Sequence, residues 1–260
     1  MKLKNRILVI TIILLVLSTI STIVNAKVYN ISGTDMDISI DDTEWYVFTR
    51  SNIENNSELD ELGISYEYLD NFMKNNYVYL DAVLYFSDSD DYIEIIIRKT
   101  NIDKINNLSN FPDDAVLSLA KEFSDKHNAS DYDIYDTNYK FTKVNYIDQG
   151  LYIYEYCTAV NGYAYTITAQ KPYEFTSSDV NRVEGIVDTI KFDVDESLTD
   201  EEALKEVKSG NGFSWDEVWE KAAVGGTVGL FYSLFGILIG KLIRKRKIKE
   251  NEKNERGKDE

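Results

Sequence analysis

The sequence predicts an α+β fold, in which an antiparallel sheet of six or seven strands with about three helices is followed by a single transmembrane helix. Three observations support this. Short runs of β-branched and aromatic residues are separated by turn residues. Three longer segments carry apolar residues at helical spacing. Residues 222–240 contain 19 consecutive uncharged positions, which is long enough for a helix that crosses a bilayer.

Seven runs have the composition typical of strands. They are residues 45–50, 77–86, 92–99, 132–137, 139–146, 151–159 and 163–170. The fourth and fifth runs fit either two strands or one bent strand. Gln149-Gly150 and Asn161-Gly162 separate the last three runs, and Asn-Gly between alternating runs is a strong hairpin signal. Residues 27–42 form a polar lead-in with a short edge strand at Met36–Ile40.

Three segments are predicted to be helices with one buried face each, over about residues 65–75, 112–128 and 178–190. Ser65 is a suitable cap for the first helix. Pro112 fits the first turn of the second, because its missing N–H has no partner there in any helix. The buried face of the first helix is expected to hold Tyr68, Leu69, Phe72 and Met73.

One stretch resembles a known family. A hairpin turns at Asn161-Gly162 and continues as Tyr163-Ala-Tyr-Thr-Ile-Thr-Ala169; Thr176-Ser-Ser-Asp179 then opens a helix that ends in Val187-Asp-Thr-Ile-Lys-Phe192. This order resembles the C-terminal part of PsbP-like domains, named for the photosystem II extrinsic subunit. The resemblance implies an α/β/α sandwich that serves as a binding or accessory module. No functional residue of that family matches a position here, so none is carried over.

Residues 1–26 have the pattern of a signal peptide. Three basic residues precede an apolar run over residues 7–20, and Ala26 ends a small-residue site that signal peptidase accepts. We expect cleavage after Ala26, although the apolar run is also long enough to remain as an uncleaved anchor. In either case, residues 27–192 are expected to form an extracytoplasmic domain.

The chain beyond that domain is predicted to enter and cross a membrane. Residues 193–213 read as an acidic linker, within which residues 200–208 suit a short helix. Residues 214–221 are predicted to form a juxtamembrane helix and residues 222–243 the transmembrane helix. Residues 244–260 form a basic tail, which is expected to be cytoplasmic because positive charge is retained on that side.

Four side chains are expected at the membrane interface. Trp215 and Trp219 lie four residues apart on one helix face, where an interfacial aromatic belt is expected. Lys241 and Arg244 follow the uncharged run and open the basic segment. The lipid bilayer is therefore one expected partner.

The predicted transmembrane helix carries a glycine stripe, formed by Gly225, Gly229, Gly236 and Gly240. At 100° per residue all four fall on one side of the helix. Two small-x-x-x-small units in register allow helices to approach closely in lipid, which predicts a homo-oligomer. The alternative is that these glycines have no such role, since glycine is common in membrane helices.

The net negative charge of the predicted extracytoplasmic domain bears on the class of partner that it can bind. The whole chain has a net charge of −17, and residues 27–220 hold 15 basic and 40 acidic side chains, a net charge of −25. Such a field repels nucleic acid, so no nucleic-acid partner is expected. It suits a basic protein partner outside the cell, and it equally serves to keep an exported domain soluble.

Residues that catalysis or metal binding usually needs are scarce. The chain has one histidine, His127, and one cysteine, Cys157. Cys157 lies in an apolar strand pattern and is expected to be a buried small hydrophobe. We expect no catalytic, cofactor-binding or metal-binding residues, with a pair of carboxylates acting in glycoside hydrolysis as the open catalytic alternative.

These features predict a single-pass membrane-anchored extracytoplasmic binding or accessory module that is not an enzyme. The alternative is a structural or assembly component that oligomerises through the glycine stripe. A contiguous exposed aromatic patch would favour the first hypothesis. A bare polar surface would favour the second.

Overall fold

The computed structural model describes residues 26–62, 64–86, 91–102 and 104–209. The predicted juxtamembrane helix, transmembrane helix and basic tail lie outside these ranges, as does the predicted signal peptide up to residue 25. Within the described ranges, no helix is both long and apolar enough to cross a membrane.

Over the ranges that the structure describes, ten strands form two antiparallel sheets. In chain order they are β1 (Ala26–Asn30), β2 (Met36–Asp41), β3 (Trp45–Thr49), β4 (Val78–Tyr85), β5 (Tyr92–Asn101), β6 (Asp131–Asp136), β7 (Lys140–Asp148), β8 (Leu151–Val160), β9 (Tyr163–Lys171) and β10 (Lys191–Phe192). The main sheet has seven strands in the order β3-β4-β5-β9-β8-β7-β6, and the small sheet has the order β1-β2-β10. The α+β class and the larger of the two predicted strand numbers for the main sheet are therefore confirmed.

Five α-helices are present in the described part of the chain, where about three were expected. They are α1 (Ser57–Leu62), α2 (Tyr66–Asn75), α3 (Asp113–His127), α4 (Ser177–Val187) and α5 (Glu201–Ser209). The three predicted helices correspond to α2, α3 and α4. Of the other two, α5 agrees with the short helix expected over residues 200–208, and α1 lies where the sequence suggests a single helical turn at Glu58–Leu62. Both are short, and short helices depend on tertiary packing more than on their own propensity.

The lead-in and one helix face differ from expectation. Residues 27–42 were expected to be largely irregular, but β1 and β2 form a hairpin there, and β2 is the central strand of the small sheet because β10 pairs with its other side. Tyr68 was expected on the buried face of α2 and is 51% exposed. The other three predicted side chains on that face are buried.

The two faces of the main sheet are covered by different elements. On one face, α4 and the small sheet pack against alternate residues of β5, including Ile93, Ile95 and Ile97. On the other face, α1 and α2 cover the β3–β5 side, where Ile96 is buried. The 3₁₀ turn Leu108–Asn110, α3 and α5 cover the β7–β9 side of the same face. The central strands are therefore buried on both faces.

Two hairpin turns have the geometry that their residues predict. Gln149 and Gly150 have φ of 50° and 83°, and Asn161 and Gly162 have φ of 53° and 76°. Two successive positive φ angles characterise the type I′ turn, which favours Asn and Gly at these positions. The β7–β8 and β8–β9 registers follow from these turns.

Residues 193–209 lie against the domain, although they were expected to be part of a linker. Ala203 of α5 is buried in the cluster formed around α3, and Leu204 and Val207 pack against it. Asp200, which is 4% exposed, anchors the start of α5. Its carboxylate accepts hydrogen bonds from Asn106 N at 2.6 Å, Asn107 N at 3.0 Å and Asn110 Nδ2 at 2.9 Å. The folded domain thus extends through residue 209.

We expect Asp200→Asn to destabilise the domain by about 1–3 kcal/mol, because an amide NH₂ would face buried donors that lose their acceptor. Urea unfolding of the full-length protein, followed by near-UV circular dichroism, would measure this. Glu202→Gln, at an exposed position of the same helix, is the matched control and should change stability by less than about 0.5 kcal/mol. Equal effects of both variants would contradict the anchoring role.

Candidate functional site

Charged residues interrupt the centre of the main sheet on the face that carries α2 and α3. Because side chains alternate along a strand, β5 directs Ile93, Ile95 and Ile97 towards α4 and places Glu94 and Arg98 on the opposite face with Ile96. The same alternation places Asp81 of β4 on that opposite face. Both acids are 0% exposed and Arg98 is 8% exposed.

Asp81 and Glu94 form what we term the carboxyl pair. Asp81 lies opposite Ile96 and Glu94 opposite Val83, so the two acids are diagonal neighbours on adjacent strands. Glu94 Oε2 accepts a hydrogen bond from Gln170 Nε2 at 2.6 Å. The two carboxyls hydrogen-bond to each other, and beyond that bond neither oxygen of Asp81, nor Glu94 Oε1, has a partner among the described residues.

Tyrosine rings enclose one side of the carboxyl pair. The ring of Tyr85 lies 6.3 Å from that of Tyr46 and 6.0 Å from that of Tyr92, measured between centroids. The Tyr92 hydroxyl is also buried without a hydrogen-bond partner in the described part of the chain. On β5, Arg98 Nη1 donates to Thr168 Oγ1 at 3.4 Å. The pair therefore lies in a polar pocket of the core with one cationic group beside it.

Burial sets the protonation of the carboxyl pair. Loss of solvation raises the pKa of Asp81 to about 7, while the hydrogen bond to Glu94 and the Arg98 charge act in the opposite direction. Loss of solvation also raises the pKa of Glu94 well above its ordinary value, and the Asp81 charge raises it further. Two carboxylates this close in a low dielectric do not both ionise readily. At neutral pH the pair therefore holds a proton.

The raised pKa values predict that Glu94→Gln stabilises the protein increasingly as pH rises. Between pH 4 and 7 the folded wild type binds more protons than the unfolded chain, so its stability falls with rising pH. The Glu94→Gln variant has no carboxyl at this position, so this part of the fall in folding stability with rising pH is absent from it. Its stability relative to wild type should rise by at most about 1.4 kcal/mol per pH unit, measured by urea unfolding from pH 4.5 to 8.5.

Glu54→Gln, an exposed substitution, is the control for the loss of one negative charge and should follow the wild-type pH profile. If Glu94→Gln and wild type had parallel profiles over this range, Glu94 would ionise normally in the folded protein. That result would contradict the raised pKa.

A second feature is a depression of about 230 Å³ at the end of the β7–β8 hairpin, beside the loop that joins β9 to α4. We term it the hairpin-end depression. The residues that line it include Tyr146, Tyr152, Tyr154 and Phe175, with Ile147, Ile153 and Glu174. Tyr154 and Phe175 pack edge to face, with ring centroids 4.9 Å apart. The depression thus presents aromatic surface with an acidic side chain in its wall.

Buried ion pairs position the loop on one side of the hairpin-end depression. Lys171, the last residue of β9, is 2% exposed, and its Nζ lies 2.8 Å from Asp179 Oδ2 and 3.0 Å from Asp91 Oδ2. Asp179 and Thr176 form a capping box at the start of α4. These contacts hold both ends of the short segment that carries Tyr173 and Phe175.

The rim of the hairpin-end depression is exposed and apolar. Ile147 is 61% exposed and Tyr173, next to the lining residue Glu174, is 56% exposed. Exposed aliphatic and aromatic side chains beside a concave aromatic surface are typical of interaction sites. The described side chains here offer aromatic and aliphatic contacts next to one carboxylate.

The eight site residues predicted from the sequence lie outside the described ranges. They are Gly225, Gly229, Gly236, Gly240, Trp215, Trp219, Lys241 and Arg244. Their roles in helix association and at the membrane interface stay predictions.

The single histidine and the single cysteine lie at packed positions. His127 is stacked on Tyr146 at 4.3 Å between ring centroids. Cys157 is buried, as predicted, and burial raises the pKa of its thiol. Its Sγ lies 3.4 Å from Thr166 Oγ1. Within the described residues, no group of three or more His, Cys, Asp or Glu side chains could hold a metal ion.

Sequence reasoning missed the carboxyl pair. The signal was a single acid inside each of two strongly apolar strands, Asp81 in Val-Tyr-Leu-Asp-Ala-Val-Leu and Glu94 in Tyr-Ile-Glu-Ile-Ile-Ile. In a sheet with one solvated face, an acid in a strand is explained when the residues on its own face are also polar. Residues two positions apart share a face, and Val83 and Ile96, two positions after the two acids, are apolar. Following this pattern would have marked the face that carries these acids as buried.

No protein-family model matches the chain, and no curated protein matches it. Among solved structures, the fold is similar to the solution structure of cyanobacterial PsbP (CyanoP) from Synechocystis sp. PCC 6803. The sequence identity is 10%, the TM-score is 0.38, and the match covers 66% of this chain and 94% of that chain. The expected resemblance to PsbP-like domains is thereby confirmed as a weak likeness in fold, which says nothing about a ligand or an activity.

Proposed function

We propose that this protein is a single-pass membrane-anchored extracytoplasmic binding or accessory module, and that its ligand site is the hairpin-end depression. The observation that carries the proposal is the aromatic lining of this depression beside the exposed side chains of Ile147 and Tyr173. Tyrosine combines apolar contact area with a polar tip, which suits it to recognition surfaces. An exposed aromatic surface is also what distinguishes a binding module from a purely structural component.

The proposed location follows from the two ends of the chain. The signal-peptide pattern of residues 1–26 supports export of the domain, and the uncharged run over residues 222–240 supports anchoring in the cell membrane. The basic residues after that run support a cytoplasmic C-terminus. In this arrangement the lipid bilayer is a constitutive partner.

A non-catalytic role is favoured over hydrolysis by paired carboxylates. Glycoside hydrolysis needs two carboxyl groups on either side of a cleft that admits the sugar. The carboxyl pair is fully buried, and neither Asp81 nor Glu94 lines the hairpin-end depression. Binding therefore explains the accessible surface better than catalysis does.

A basic exported protein is the proposed binding partner. The net charge of −25 over residues 27–220 attracts cationic proteins at long range. Glu174 lines the depression, and Asp148 follows the exposed rim residue Ile147. Aromatic rings beside carboxylates favour Lys or Arg side chains, because the ring faces and the carboxylates both attract cations.

A photo-crosslinking amino acid at position 173 is expected to capture a partner in the native membrane. The same group at position 77 is the matched control, since Tyr77 is also exposed (54%) and lies before β4, at the opposite end of the sheet. Adducts should form from position 173 alone, and Ile147→Asp should reduce their yield several-fold. Gel electrophoresis with mass spectrometry would identify them.

Adducts of equal yield and identity from positions 173 and 77 would contradict the placement of the site. Adducts from position 173 that contain only a second copy of this chain would favour the alternative, a component that assembles with itself.

That alternative, oligomerisation through the glycine stripe, has a separate test. We expect Gly229→Ile combined with Gly236→Ile to make the transmembrane segment monomeric in a membrane association assay, because two bulky side chains would prevent close helix approach. Thr227→Ile lies about 160–180° from these two glycines on the helix and should leave association unchanged. Association that persisted in the glycine double variant would rule out the stripe as the contact.

A further inference from the structure

The carboxyl pair has no part in the binding function proposed above, and an inference about it is independent of that function. Apart from the hydrogen bond that the two carboxyls make with each other, four buried oxygen atoms lie here without a partner among the described residues: Asp81 Oδ1, Asp81 Oδ2, Glu94 Oε1 and the Tyr92 hydroxyl. Isolated polar groups in a core are costly unless something binds them. Unpartnered buried acceptors on two strands therefore form a candidate cation site.

The surroundings of the pair are well defined. Arg98 is the one cationic group whose charge acts on both carboxyls. Gln170 contributes an amide from β9. Tyr85 and Tyr92 are neutral hydroxyls affected by both acids, and Asp91 acts on Tyr92. The helix on this side, α2, contributes apolar side chains, namely Leu69, Phe72 and Met73.

The charges of the carboxyl pair and Arg98 indicate which valence a bound cation should have. With both carboxyls ionised, the fully buried pair and Arg98 together carry a net charge of −1. Glu155, whose charge acts with that of Arg98 on Tyr146, is half-buried and keeps part of its solvation, so it is not counted. One monovalent cation brings this buried cluster to neutrality, as a proton does, whereas a divalent cation would leave it at +1. Uncompensated charge in a core is strongly unfavourable. A monovalent ion therefore fits where a divalent ion does not.

We propose that the carboxyl pair is a monovalent-cation site, in which Na⁺ and a proton compete for the oxygens of Asp81 and Glu94, with the Tyr92 hydroxyl as a neutral ligand. The exchange is balanced: Na⁺ enters, one carboxyl O–H bond breaks, and the proton leaves to solvent.

Thermal unfolding of the full-length protein in detergent tests the proposal. At pH 8.5, NaCl should raise the Tm above that in choline chloride of equal ionic strength, by roughly 3–5 °C when Na⁺ is about tenfold above its dissociation constant. At pH 5 the proton occupies the pair, and the difference between the salts should vanish. Glu94→Gln should abolish the difference at pH 8.5, whereas the exposed control Glu54→Gln should retain it.

A second measurement needs no variant and keeps the proposal testable if Glu94→Gln does not fold. Adding NaCl to the weakly buffered wild-type protein near pH 7 should release up to one proton per chain, detected with a pH indicator, and choline chloride should release none. Identical Tm values in the two salts at pH 8.5, together with no proton release, would overturn the proposal. A larger Tm increase with MgCl₂ than with NaCl would also overturn it, since the charge count excludes a divalent ion.

Discussion

Burial of the central strands on both faces is the constraint on which the rest of this structure depends. A seven-stranded antiparallel sheet usually needs cover on only one side. Here α4 and the small sheet cover one face, and α1, α2, α3 and α5 cover the other. Every side chain in the middle of β5, and every one except Thr166 in the middle of β9, is thereby removed from water. The small sheet and the docking of residues 193–209 are needed to complete that cover.

The same constraint explains the chemistry of the carboxyl pair. On a sheet with one solvated face, Asp81 and Glu94 would be ordinary solvent-facing acids with ordinary pKa values. Covering that face removes their hydration, while the neighbouring Arg98 compensates only part of their charge. A proton or another cation must then supply the remainder. The electrostatics follow from where the helices lie, and no unusual residue is involved.

The end of the β7–β8 hairpin lies beyond the helices that cover the sheet, and apolar surface is exposed there. Beyond the buried part of β7 and β8, the hairpin keeps its aromatic and aliphatic composition, but none of the described elements packs over its end, and Ile147 is exposed. The loop after β9 adds Tyr173 and Phe175 on a segment held by the buried ion pairs of Lys171. A rigid aromatic surface at a sheet end costs little entropy on binding. This is the physical basis for the binding role that we propose.

The sequence by itself determined the features that depend on neighbours in the chain. It predicted the seven strands, the two hairpin turns and the three longer helices, because periodicity, turn residues and caps act over a few positions. It also predicted the burial of Cys157. It did not reveal α1 as a full helix, the β1–β2 hairpin, the docking of residues 193–209 or the carboxyl pair. Those depend on partners far apart in the chain: Asp200 meets residues 106–110, and Asp81 meets Glu94 in a face closed by helices from both halves of the domain. Only the tertiary structure decided which acids lose their water, because burial is set by the elements that pack over a residue and not by its own segment.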